Sequence, residues 1–263
     1  FLYGLAFFSM GLAVLIEGDR SSDERLRLSL RPLVAFGLLH GLHEWLDMFE
    51  NIGMVGDSYF SHVLWFAVKL AILAFSFLSL AGFGFSLISP NLQARRLTLL
   101  GPLFLAAIWA FGLWLLNDQY EVYTQVCQIP CVWTRYSLGI PSALSASIGL
   151  IVQQRAFRRS GLVQFGRDSL AASIAFAWYG VAGQLFVPAS RLWPSTFIND
   201  ELFLHWFGFP VQVLRAILAV LIAIFVIRFM RAFDTEIQTQ IEELQAMRLE
   251  EARRREALRG GLI

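Results

Sequence analysis

The chain is short of almost everything a water-facing surface needs. Of its 263 residues only 16% are charged, and lysine occurs once, at Lys69, against 20 arginines. With 57% hydrophobic residues and a mean hydropathy of +0.59, an ordinary soluble domain is excluded, because it would leave too much apolar surface in water. A net charge of +1, segregated by segment, offers no footprint for a nucleic-acid partner. No internal repeat is visible, which counts against a transporter built from related halves. No signal peptide with a cleavage site opens the chain. It begins in an apolar run without Met, and residues are expected upstream of Phe1. The last apolar stretch holds no lysine, which argues against a retinal Schiff base.

What the chain has instead is long apolar runs. A helix needs about 20 apolar residues to cross a hydrocarbon core of about 30 Å. Seven segments qualify or nearly so: 1–16, 32–49, 60–88, 97–116, 136–153, 169–187 and 207–228. Arginine falls in alternate linkers: Arg20, Arg25, Arg27 and Arg31, then Arg95 and Arg96, then Arg155, Arg158, Arg159 and Arg167, and finally Arg228 and Arg231. The other linkers hold only Arg135 and Arg191, beside acids such as Asp57, Asp118 and Glu201. The positive-inside rule then gives an all-α, polytopic membrane protein with seven spans, N-terminus outside and C-terminus in the cytoplasm. Six or eight spans are the competing count. Trp45, Trp65, Trp114, Trp133, Trp193 and Trp206 gather near the proposed outer boundary, the depth amphipathic rings prefer.

Residues 1–228 thus read as a membrane domain and 229–263 as a separate cytoplasmic helix. The stretch 229–258 is charged and lacks Gly and Pro. Phe233, Ile237, Leu244 and Met247 fit a coiled-coil seam with Gln240 at one core position, and a seam needs a partner, so a homodimer is expected. The seam decays at Glu251 and Arg254, as in a connector leading to an output domain beyond it. A tail lying on the bilayer surface is the alternative, disfavoured because acids and bases alternate around it.

One phrase of the second span, HGLHEWLD, sets His40, His43, Glu44 and Asp47 at i, i+3, i+4 and i+7, which places them on one helix face. Charges facing lipid are costly, so the face is expected to turn inward. Counting at 1.5 Å per residue puts Glu44, Lys69 of the third span and Arg215 of the seventh at a common depth. A ligand- or ion-binding pocket is expected from His40, His43, Glu44, Asp47, Lys69 and Arg215, with Glu44 or Asp47 compensating Lys69 and Arg215. Structural ion pairs or snorkelling are the competing account. His43, Asp47, His62 and His205 are a candidate metal set, and His40 with a facing histidine a candidate haem clamp, although His-x-x-His alone is a weak motif. Cys127 and Cys131, in CQIPC on the outer side, are expected to form a disulfide, with a thiol metal site as competitor. The loop 187–206 is long enough to cap the pocket.

The layout, together with HGLHEWLDMF, FGFPVQVLRAILAV and the closing EEARRREALRGGLI, resembles the membrane-embedded sensor region of bacterial sensor histidine kinases. The last phrase is similar to the lead-in helix of nitrate-sensor or DesK-like kinases. The resemblance implies a multi-pass protein of the bacterial inner membrane. It implies a two-component signalling role in which a small ligand or ion, or protonation, acts on the spans and the last helix carries the change to a coiled coil. The region itself is then non-catalytic, and kinase activity belongs to domains beyond it. Related membrane domains also precede diguanylate cyclases, and a haem- or metal-binding redox protein is the reading from another class.

Overall fold

The computed structural model describes residues 1–18, 24–54, 59–89, 97–116, 128–159, 163–228, 230 and 246–247, with only the backbone of 24–26, 59–62, 128 and 163–164. The described residues are helical almost throughout, without a named strand. The helices are α1 (Leu2–Gly18), α2 (Glu24–Asn51), α3 (Tyr59–Ile88) and α4 (Leu100–Leu116). Three pieces, Gln128–Thr134, a π turn Arg135–Gly139 and Ile140–Arg159, run on without a break and form α5. Then come α6 (Val163–Leu185), the short α7 (Asp200–Phe207) and α8 (Val211–Arg228).

Each of the seven apolar segments falls largely within a long helix. Val63–Ile88, Ile129–Arg159 and Val211–Arg228 are long and apolar enough to cross a membrane. Helices α1 and α4 are apolar but have 17 residues each. Two boundaries differ from expectation. α5 starts before Arg135, so that residue lies within the helix rather than in a linker. The segment expected to start at 207 is broken after Phe207, where Gly208 takes a left-handed φ of 74° and caps α7. The coiled coil expected over 229–258 lies outside the described residues, save Met230 and the pair 246–247.

Neighbouring helices approach through small residues, as bundles in lipid commonly do. Gly37 and Gly41 of α2, four apart, lie against the α1 backbone. A methyl group at Gly41 would sit 2.7 Å from the Gly4 carbonyl oxygen, and one at Gly37 2.7 Å from that of Phe7. Between α3 and α5 the same holds at Gly84, where a methyl would fall 2.4 Å from the Ala146 nitrogen. Helices α5 and α6 meet along serines: Ser147 and Ser173 hydroxyls are 2.9 Å apart, and Ser169 donates to the Leu150 carbonyl at 2.8 Å.

One continuous core results, from Tyr3 and Phe7 through Phe36, Phe77 and Phe176 to Met230. Helix α4 lies outside it. Two tryptophans fasten it to α5: the Trp109 indole donates to Thr134 Oγ1 at 2.8 Å, and the Trp133 indole to the Trp109 carbonyl at 3.0 Å. Its other face exposes Leu103, Phe104, Phe111 and Trp114. With Phe75, Trp178 and Ile217 also exposed, the outer surface is as apolar as a lipid-facing one.

Candidate functional site

Polar side chains concentrate where α2 ends, α3 begins and α6 ends. The α2 stripe turns inward as its spacing requires: His40 and His43 are buried, and the Glu44 side chain is mostly so. The close α1–α2 crossing brings Tyr3 over His40, and α6 supplies Tyr179 from the other side. The two hydroxyls lie 3.1 and 2.7 Å from His40 Nε2 and 3.0 Å from each other. His40 Nδ1 lies 3.1 Å from Ser76 Oγ, whose proton goes to the Leu73 carbonyl at 2.7 Å. Nδ1 is therefore the donor and Nε2 the acceptor, an assignment made from the bonds around the ring. Phe7, Phe36 and Phe77 pack around this imidazole at centroid distances of 5.1–5.2 Å. His40 is thus the hub of a dry, satisfied network across four helices.

Above that hub lies Glu44. Arg135 NH2 stands 3.9 Å from Glu44 Oε1, and the unprotonated Nε2 of His40 lies 3.7 Å from it. Arg135, carried on the π turn, donates from NH1 to Gln184 Oε1 at 3.0 Å. A π turn re-aims the residues it carries and recurs at functional sites. Lys69, also buried, binds both Asp47 and Glu50. Arg215 is buried and caps the end of α6, donating to the Gly183 carbonyl at 2.6 Å and the Phe186 carbonyl at 2.9 Å. A cation there meets the negative end of the helix and its unpaired carbonyls.

Between these groups is a cavity of about 170 Å³. His43, Asp47, Arg135 and Arg215 line its polar side, and Leu73 and Val132 part of its apolar side. His43 Nδ1 has no protein hydrogen-bond partner, and neither have Glu44 Oε1 and Gln184 Nε2, the two side chains that Arg135 faces. Buried polar atoms are nearly always satisfied, so such atoms around a cavity-lining arginine suit this region to a polar guest.

Of the six expected pocket residues, His43, Asp47 and Arg215 line the cavity, and Lys69, which does not line it, binds Asp47. His40 lies one level deeper. The pairing expected of Glu44 differs: Lys69 takes Asp47 and Glu50, Arg215 takes backbone carbonyls, and Glu44 faces Arg135. Arg135, Glu50, Gln184, Tyr3, Ser76 and Tyr179 were not anticipated. Only Arg135 left a usable sign in the sequence, since Ile129 to Trp133 continue the apolar run in front of it.

Of the candidate metal set, His43 and Asp47 share the cavity wall and His205 is exposed on α7; the His62 side chain lies outside the described residues. Among the described residues no three such groups come together to hold a metal ion. Both ring nitrogens of His40 are engaged, leaving neither for haem iron. The Cys127–Cys131 pair cannot be followed, because Cys127 lies outside the described residues; Cys131 lines the cavity. The loop after α6 does reach the site. Pro188 forms part of the cavity wall, Val187 bridges to Asn199, and Asn199 caps α7 by accepting from the Leu202 amide at 2.9 Å. Comparison with models of protein families, with curated proteins and with solved structures found no match.

Proposed function

We propose that this chain is the sensory membrane domain of a signalling protein, in the manner of the bacterial sensor kinases it resembles. The site at the mouth of the bundle binds a small ligand or ion. Residues 1–228 span the inner membrane seven times, with the N-terminus and the polar end outside. Residues 229–263 form the cytoplasmic connector, pair with a second copy, and hand the signal to an output domain.

The observation that carries this reading is the position of Arg215. It lines the buried cavity and belongs to α8, the helix that leads directly into the tail. A ligand that changes what Arg215 holds has a direct mechanical line to the connector. Intramembrane ionisable groups default to functional candidates, and here six of them, Glu44, Asp47, Glu50, Lys69, Arg135 and Arg215, face one another from four helices.

Hydrogen–deuterium exchange along 229–258 of the purified chain in nanodiscs tests the reading, alongside its oligomeric state. The expected result is a dimer whose tail protection changes in Arg135→Gln and in the His43→Ala, Glu44→Ala double variant. A monomer whose tail exchange ignores both substitutions would sink the proposal.

A further inference from the structure

A groove of about 760 Å³ runs along the surface between α1 and α8. Its walls are almost wholly apolar, with Leu5 and Ala6 on one side and Val213, Ile217 and Leu221 on the other. Along α8 the lining extends from Gln212 to Leu221, about 14 Å at 1.5 Å per residue. Two residues join this groove to the polar site. Gln212 lines the groove and the cavity alike. Tyr3 lines the groove and turns its hydroxyl to His40.

The two arginines at the cavity end are the groups without a tightly held counter-charge. Lys69 binds two carboxylates, Asp47 and Glu50, a trio that carries one net negative charge and keeps Asp47 engaged at the cavity wall. The guanidinium groups of Arg135 and Arg215 face the same cavity from two helices. The carboxylate near them, Glu44, stands 3.9 Å from Arg135, beyond hydrogen-bond length, and the bonds from Arg215 go to neutral carbonyls. Neither guanidinium holds a carboxylate at hydrogen-bond length, and guanidinium matches a carboxylate through paired N–H donors, so an anionic head is the guest that completes both. Buried His43 lines the same wall. At about 30 Å³ per water the cavity takes roughly five waters, enough for a compact head.

We infer that groove and cavity together form one site for a single-chain amphiphile with a compact anionic head, of the fatty-acid class. Its carboxylate sits between Arg135 and Arg215 and its alkyl chain lies along α1 and α8. The inference rests on the ligand-binding reading above and names its ligand class. The guest enters sideways from the outer leaflet, passing Gln212, and needs both parts of the site.

Native mass spectrometry of the purified chain tests this with four probes: decanoate, butyrate, decanol and decylamine. Decanoate should bind at least about tenfold more tightly than each of the others, the loss expected when a charge-assisted bond or the chain contact is missing. Arg215→Gln should weaken decanoate by a similar factor. So should Ile217→Trp, which fills the groove from a side chain already 52% exposed and should leave the thermal transition unchanged. Decanol matching decanoate, butyrate matching decanoate, or full decanoate affinity in Ile217→Trp would each overturn the inference. Failure of decanoate to bind, while Arg135→Gln still alters tail exchange, overturns the amphiphile and leaves the sensory reading standing. Failure of both measurements removes the two together.

Discussion

Replacing His40 by leucine would leave the Tyr3 and Tyr179 hydroxyls with only each other, in surroundings closed to water. Stranding a buried polar group costs about 1–3 kcal/mol, whereas deleting one hydroxyl from a shared network in a membrane protein costs about 1 kcal/mol or less. His40→Leu is therefore expected to lower stability clearly more than Tyr179→Phe, read by unfolding in mixed detergent micelles. A double-mutant cycle between Tyr3→Phe and Tyr179→Phe should show coupling, because the two share one acceptor. Arg215→Leu frees the Gly183 and Phe186 carbonyls and should cost about 2–3 kcal/mol. Arg191→Leu, on the exposed loop, should stay within about 0.5 kcal/mol. Equal losses in the same unfolding assay would contradict the placement of Arg215. That His40, His43, Glu44 and Asp47 share a face was legible from spacing alone, since a helix fixes which residues do. Its partners were not. Whether Glu44 meets Arg135 or Arg215 depends on the rotation and axial offset of α5 and α8, and hydropathy carries neither.

Among the elements, α1 and α2 depend on the near-contact of Gly4, Gly37 and Gly41. A side chain at Gly41 meets the Gly4 carbonyl oxygen and the Phe8 Cβ within 2.8 Å, so relief requires the helices to part. Gly41→Val should cost about 2 kcal/mol or more, within the range for overpacking. It should also erase the coupling of Tyr3 to Tyr179, because Tyr3 rides on α1. Persistence of that coupling in the Gly41→Val background would show that α1 is not what delivers Tyr3. The helices themselves were largely readable from apolar runs, and the errors lie where polarity and geometry conflict. Arg135 and Tyr136 look like the edge of a span, yet they lie inside α5 because Gln184, Glu44 and the Leu185 carbonyl receive them. After Phe207 the reverse occurs: an apolar run continues, but Gly208 and Pro210 stop one helix and start another.

For the whole molecule, the arginine asymmetry and the helix order combine into one topological prediction. Reporter fusions following Asn51 and Asn199 should register on the periplasmic side, and fusions following Arg159 and Arg228 in the cytoplasm. A single reversal would require a different number of crossings. The helical character of the described residues was legible in the long apolar runs, whereas the number of crossings is what the fusions test. The coiled coil was inferred from a decaying seam, and its residues lie outside those described.

One feature of the packing bears on how any signal would travel. Helix α8 is riveted to α6 twice, by Arg215 on the last carbonyls of α6 and by Arg228 on buried Asp168 near its first turn, at 3.1 Å. Tied at both ends, the two rods are set to move as a pair. Torque applied at the mouth would therefore reach the far side as the swing of a twin beam, and the stiffness of the pair, rather than that of one slender rod, would set how faithfully it arrives.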